Sequence, residues 1–161
     1  ELTSITATAA ERQQDVENVV RIIVHTFRDY DDKSDVQEFL DDMIIDILET
    51  EDSELVCGTI SEVLDKLYEL FGQKGLFPFA GQKTSAGQRY SLRALEAVAV
   101  GIARNWDEIS ALEKPDSFIK RRVAKFWEQP EVDAMSASGL RGTQRLQRTI
   151  PFGDTWFNPE A

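Results

Sequence analysis

Two short stretches concentrate the residue types that could hold an anion. "IKRRVAK" sets Arg121, Arg122 and Lys125 within an arc of roughly 100° on one helix, given the helical rotation per residue. "MSASGLRGTQRLQR", residues 135 to 148, is a small-residue loop that runs into Arg141, Arg145 and Arg148, the last two on neighbouring turns. Gly139 and Gly142 free the loop, and a helix expected to begin at Thr143 exposes unpaired backbone N–H groups where phosphate binds. If the two faces converge, Arg121, Arg122, Lys125, Arg141, Gly142, Thr143, Arg145 and Arg148 form one phosphate-binding surface. A second reading stays open, in which the glycines only make a turn, Thr143 caps the helix, and the arginines pair with acidic residues elsewhere in the chain.

The remaining candidate chemistry is sparse. His25 is the single histidine, and it stands about 180° from the apolar stripe of its helix, which predicts a ring facing solvent or a neighbouring surface. "RIIVH" separates Arg21 from His25 by three residues, a shorter spacing than the arginine–histidine motif of helical nucleases of the HEPN type. "DYDD" (residues 29 to 32) and the pair Asp41 and Asp42 lack the spaced oxygen series and the glycine of a cation loop, and read as solvated acidic faces. No phosphate-loop, dinucleotide, nucleophile-elbow or zinc-protease pattern occurs. The chain therefore reads as non-catalytic by itself, with no metal and no cofactor.

The elements that must carry these residues are helices. Val16, Val19, Val20, Ile23 and Phe27 share one side of a helix over about residues 8 to 30, closed by "DYDDKSD". Ser34 and Gln37 suggest a capping box ahead of Val36, Phe39, Leu40, Met43, Ile44 and Ile47. The stripe Val56, Ile60, Val63, Leu64, Leu67, Leu70 and Phe71 follows, with Gly72 where a left-handed cap would sit. Residues 72 to 88 form a long glycine-bearing loop, in which Leu76, Phe77 and Phe79 either dock a partner or pin the loop to the core. Ser91 opens a helix to about Asn105 whose Ala94, Ala97, Ala99, Gly101 and Ala103 allow close approach, so it is expected to be the central one. Pro115 and Pro130 open two more, and a last helix from Thr143 is expected to be disturbed at Pro151. The fold class is all-α, a single irregular bundle of about six to seven helices over residues 1–161.

Composition bounds the setting. The net charge of −11 is uneven: residues 1 to 80 hold 6 Lys and Arg against 19 Asp and Glu, while residues 81 to 161 hold 12 against 10. Any nucleic-acid contact must come from the second half or from protein outside this chain, because the first half repels phosphate at long range. Cys57 is the lone cysteine, which excludes an intramolecular disulfide, and its place in an apolar helix suggests a packed thiol. No apolar run is long enough for a membrane span, and a soluble cytoplasmic protein is expected. The chain opens at Glu1 in a helix-prone segment, and a fragment of a larger protein is the expectation.

Three segments, "NVVRIIVHTFRDYDDKSDVQEFLDDMIIDIL", "LFGQKGLFPFAGQKTSAGQRYSLRALEAVAVGIAR" and "MSASGLRGTQRLQRTIPFGDTWF", resemble in their order the C-terminal helical region of the ParB-like family catalogued as domain of unknown function 262. That family includes part of the GmrSD-type restriction enzymes and other bacterial anti-phage proteins. "ALEAVAV" (Ala94 to Val100) is similar to the family's "ALFEA"-like helix, and Gly139 to Arg148 to its closing small-residue loop and arginine helix. The resemblance implies a partner in the same protein, an N-terminal ParB-like domain with an Asp-Gly-Gln-Gln-Arg motif tied to nucleotide hydrolysis or nicking. This chain lacks that motif; "ERQQD" (Glu11 to Asp15) has the paired glutamines but neither the glycine nor the order. The function implied is a non-catalytic accessory domain of a DNA-targeting defence protein, touching DNA phosphates through its basic half. The alternative is a helical interaction or homo-oligomerisation module with no nucleic-acid role.

Overall fold

The computed structural model describes residues 13–72, 78–81, 90–135 and 141–161. Among them lie eight helices: α1 (Gln14–Phe27), α2 (Val36–Thr50), α3 (Ser53–Phe71), α4 (Leu92–Arg104), α5 (Trp106–Ser110), α6 (Pro115–Lys125, prolonged by a 3-10 turn Phe126–Glu128), α7 (Pro130–Met135) and α8 (Gly142–Phe157). No strand occurs among the described residues, only an isolated bridge between Ala80 and Tyr90. The all-α class holds. The helix count exceeds the expected six to seven because the chain turns at Asn105 and starts the separate short helix α5. Nor is the packing one bundle: α1, α2 and the start of α3 enclose their own core of Val24, Phe39, Leu40, Ile47 and Val56, beside the main core around α3, α4 and α6.

The middle of the molecule is α4. Every residue from Ala94 to Ala103 is buried, as the run of small side chains predicts. Ser91 starts the helix by accepting a hydrogen bond from the Ala94 N–H at 3.3 Å. Between Glu96 and Val100 the helix widens to π-type hydrogen bonding, a rare form that concentrates at functional sites. Helix α8 lies backbone to backbone against it. A Cβ on Gly153 would collide with the carbonyl of Ala97, and one on Gly101 with the backbone of Gly153, so only glycine permits the crossing.

Several local expectations are corrected. Helix α1 begins, among the described residues, at Gln14, and the part expected from residue 8 lies outside them. Val16 and Val19 are exposed, while Asn18, Arg21, Ile22 and His25 face inward. Val20, Val24 and Phe27 share a core with α2, His25 stacks on Phe39 of α2, and Arg21 reaches Glu96 of α4. Asp35, not Ser34, caps α2, accepting from the Gln37 N–H at 2.9 Å; Ser34 instead closes a turn onto Asp31. Gly72 has φ −58, a right-handed conformation. The Cys57 thiol is exposed because it lies off the buried Val56, Ile60, Val63, Leu67 stripe. Phe79 is buried in the main core, and Leu76 and Phe77 lie outside the described residues. Helix α8 starts at Gly142, with Arg141 in the N-cap position, and runs unbroken through Pro151.

Gly153→Ala is expected to destabilise the fold by about 1–3 kcal/mol or more, since the added methyl meets backbone that cannot rotate away. Gly58→Ala, on an exposed face of α3 with no atom within 4 Å of the new Cβ, is expected to be neutral or to gain up to about 1 kcal/mol. Urea unfolding of both variants measures the contrast.

Candidate functional site

The polar groups that the core encloses meet around one carboxylate. Glu96 is fully buried at the first π-helical position. Its Oε1 accepts from Arg21 Nη1 at 3.4 Å and Arg145 Nη2 at 3.0 Å. Its Oε2 accepts from Arg145 Nε at 3.0 Å and the Thr149 hydroxyl at 3.3 Å. Three helices supply these groups: Arg21 from α1, Glu96 from α4, and Arg145 with Thr149 from α8, one turn apart. Arg21 also donates to Glu17 at 3.0 Å, a partner at the surface edge of the cluster.

Two further polar joints continue along α4. Arg104 donates through Nε to the His25 carbonyl at 2.7 Å and through Nη2 to the Arg28 carbonyl at 3.2 Å. These are carbonyls at the end of α1, where the helix itself provides no donor. The same guanidinium pairs with Asp29 at 2.8 Å and Asp154 at 3.4 Å. Asn105 Nδ2 donates to the Gly101 carbonyl at 2.8 Å and to Asp154, tying α4 to α8.

His25 does not face solvent. It is wholly buried, stacked on Phe39 with centroids 5.9 Å apart, and neither ring nitrogen has a hydrogen-bond partner among the described residues. Burial, reinforced by Arg21, Arg104 and Arg145, holds its pKa down at about 3, so the ring is neutral. The ring does lie opposite the aliphatic stripe, but that side of α1 is interior. Arg21 Nε likewise has no partner among the described residues; the Asn18 side chain neighbours the Tyr90 hydroxyl, and burial with the Glu96 charge raises the Tyr90 pKa.

As chemistry, this cluster is a clamp. Glu96 is cut off from solvent and held by two guanidinium groups, with the Thr149 hydroxyl shared between it and the Arg145 carbonyl, an arrangement that joins three helices. Among the described residues, no three His, Cys, Asp or Glu are grouped to hold a metal ion; Asp31 of the "DYDD" run is occupied by the N–H groups of Lys33 and Ser34.

The basic residues separate into two sets. Arg122 lies over Trp156 at 4.5 Å and Phe118 at 5.3 Å, and its burial beside Arg121 lowers its pKa. Arg121 and Lys125 stand outward on α6. Helix α6 meets the C-terminal half of α8, Arg122 at Trp156 and Phe126 at Phe152 with centroids 6.0 Å apart, while Arg141 stands fifteen residues back from Trp156, about 22 Å at the helical rise. Arg145 turns inward to Glu96, while Arg141 and Arg148 are exposed. Gly142 and Thr143 are half-buried in the first turn of α8, and the Gln144 side chain accepts from the Arg141 N–H at 3.3 Å. Gly139 lies outside the described residues.

Sequence reasoning missed Glu96, Asn18, Arg104, Asn105 and Thr149. One signal was present: Glu96 is the lone charge within "ALEAVAV", a helix otherwise too apolar and small to leave the interior. Comparison with family models, with curated proteins and with solved structures finds no match to this chain.

Glu96→Ala leaves two inward guanidinium groups without their shared acceptor and is expected to cost about 3–5 kcal/mol in chemical unfolding. The double variant Glu96→Ala with Arg145→Met is expected to lose less than the two single changes added together.

His25 makes stability depend on pH in one direction. Its folded pKa, about 3, lies below the ordinary 6.5, so its contribution is complete above pH 6.5. As pH falls below that value the unfolded chain takes up a proton that the native ring refuses. The loss approaches about 1.4 kcal/mol per pH unit until the folded pKa is reached. In urea titrations at a series of pH values, His25→Phe is expected to flatten that portion of the profile.

Proposed function

We propose that the chain is a non-catalytic helical domain of a bacterial DNA-targeting, restriction-like defence protein, in which it supports a ParB-like nucleotidase or nuclease domain and contacts DNA phosphates. The observation that carries this reading is that four basic side chains of the second half stay exposed. Arg121 and Lys125 on α6, and Arg141 and Arg148 at the start of α8, are exposed, whereas α1 to α3 carry the acidic half of the chain. A duplex near these side chains meets guanidinium groups and, at the start of α8, the first N–H groups of that helix, contacts that attract phosphate without reading sequence. Arg145 and Arg122 act from within, holding α8 to α4 and α6 so that the exposed residues keep their spacing.

A second reading, an interaction or oligomerisation module without a nucleic-acid role, draws on Val16, Val19, Ile45 and Leu48. These aliphatic side chains of α1 and α2 are 39 to 64% exposed, and hydrophobic surface of this kind gains stability when another domain covers it. Sedimentation across a concentration series separates the two: a self-associating chain that ignores DNA supports the second.

The test of the first is the salt dependence of duplex binding by the chain, followed by fluorescence anisotropy. Replacing Arg141 and Arg148 by glutamine is expected to weaken binding equally for unrelated sequences and to reduce the log–log salt slope by about 0.9 for each phosphate that is no longer neutralised. Thermal stability is expected to change little, because exposed arginines contribute only about 0–1 kcal/mol each. An unaltered slope would remove the phosphate role.

A further inference from the structure

The outward face of α3 borders a groove that the fold leaves open. Two cavities of about 510 and 650 Å³ meet at Trp106, whose indole lines both. One is walled by Leu55 and Thr59 of α3 with Asp107 and Asp154; the other by Glu62, Asp65, Tyr68 and Glu69. Leu55, Thr59, Glu62, Lys66 and Glu69 recur at four and three, so they follow one straight face of the helix. Fourteen residues separate Leu55 from Glu69, which gives the groove a length of about 21 Å.

Its electrostatics are one-sided. The cations along it are already held: Arg28 by Asp46 and Glu51, Arg104 by Asp29 and Asp154, and Lys66 by Glu69 and Asp116. Glu62 accepts from the Trp106 indole N–H at 2.8 Å, a neutral donor that leaves its charge in place. Asp65 and Asp107 form no ion pair among the described residues. Three carboxylates thus remain uncompensated around an indole, and large apolar side chains stand in water at both ends, Leu55 63% and Tyr68 59% exposed.

A solvated acidic helix face explains the carboxylates but not these apolar anchors at the ends of a groove. Nucleic acid and anionic membrane are repelled by this charge, and no three acids here are grouped for a metal. We propose that the groove docks a basic amphipathic helix of a partner protein, of three to four turns, with lysine or arginine facing Glu62, Asp65 and Asp107 and one apolar side chain against each of Leu55 and Tyr68. The complementarity of charge selects lysine and arginine, and the indole of Trp106 offers a ring face on which such a cation gains. A helix laid beside α3 matches the groove's length and the spacing of its wall. This site is separate from the basic residues of α6 and α8, so it stands whether or not those touch DNA.

The experiment is anisotropy of a labelled peptide of about fourteen residues, the number that spans the groove at the helical rise. Lysine and leucine alternate in it at helical spacing, and it is titrated with the full chain. A second peptide has the same composition in scrambled order. The patterned peptide is expected to bind, the scrambled one to bind at least about tenfold more weakly, and added salt to weaken the complex. The double variant Asp65→Lys, Asp107→Lys is expected to reduce binding of the patterned peptide by about tenfold or more, and Tyr68→Ala to reduce it at every salt concentration. Both are surface changes, and circular dichroism and melting temperature verify that the variants fold. No binding, or equal binding of the two peptides with no effect of the variants, would overturn the proposal. Self-association of the chain abolished by the Asp65 and Asp107 variant would assign the groove to a second copy and would equally overturn it.

Discussion

The fold depends on one buried carboxylate. Glu96 sits in the centre of the molecule with four donors around it, and the arginines that supply three of them come from positions 21 and 145. A carboxylate without partners could not be taken from water, so α4 cannot occupy the interior until α1 and α8 are both in place. An ion cluster of this kind adds little net stability over apolar residues of equal volume, because desolvation offsets most of its attraction. Its effect is registration: only one sliding position of α1 and one of α8 bring Arg21 and Arg145 to the same oxygen pair.

The close approach of α4 and α8 follows the same geometry. Gly101 and Gly153 allow the backbones to touch, and the π-helical turn that begins at Glu96 shifts the carboxylate relative to the preceding turn. Arg104 and Asn105 then secure the other end, one supplying donors to the C-terminal carbonyls of α1 and the other bonding to Asp154 of α8. The central helix is consequently fixed at both ends by side chains that bond across to its neighbours. Its small residues set how near those neighbours come, and its few polar residues set where along its length they stop.

This interior explains the surface. Arginines drawn inward to hold helices cannot also act outside, which divides the basic residues of the second half into an inward set, Arg122 and Arg145, and an outward set, Arg121, Lys125, Arg141 and Arg148. The acidic first half keeps its carboxylates in water, in part because its own cations, Arg28 and Lys66, are already paired.

Helical period, caps and prolines are local, and the sequence alone determined what they govern: the all-α class, the stripe from Val56 to Phe71, the helices opened by Pro115 and Pro130, and the central position of the alanine-rich helix. The extra helix at Trp106 and the unbroken passage of α8 through Pro151 are not legible there, because both rest on what the neighbouring helices stabilise. The same holds for the site. The spacing of Arg145 and Arg148 sets them on neighbouring turns of one helix, but whether Arg145 faces water depends on a carboxylate 49 residues away. His25 shows the reason most plainly. A helical wheel locates a side chain relative to its own stripe, and α1 is covered on the side opposite that stripe, by Phe39 of α2 over His25 and by Glu96 of α4 at Arg21. Which stripe meets solvent is a property of how many neighbours a helix has, and only the tertiary structure decides that number.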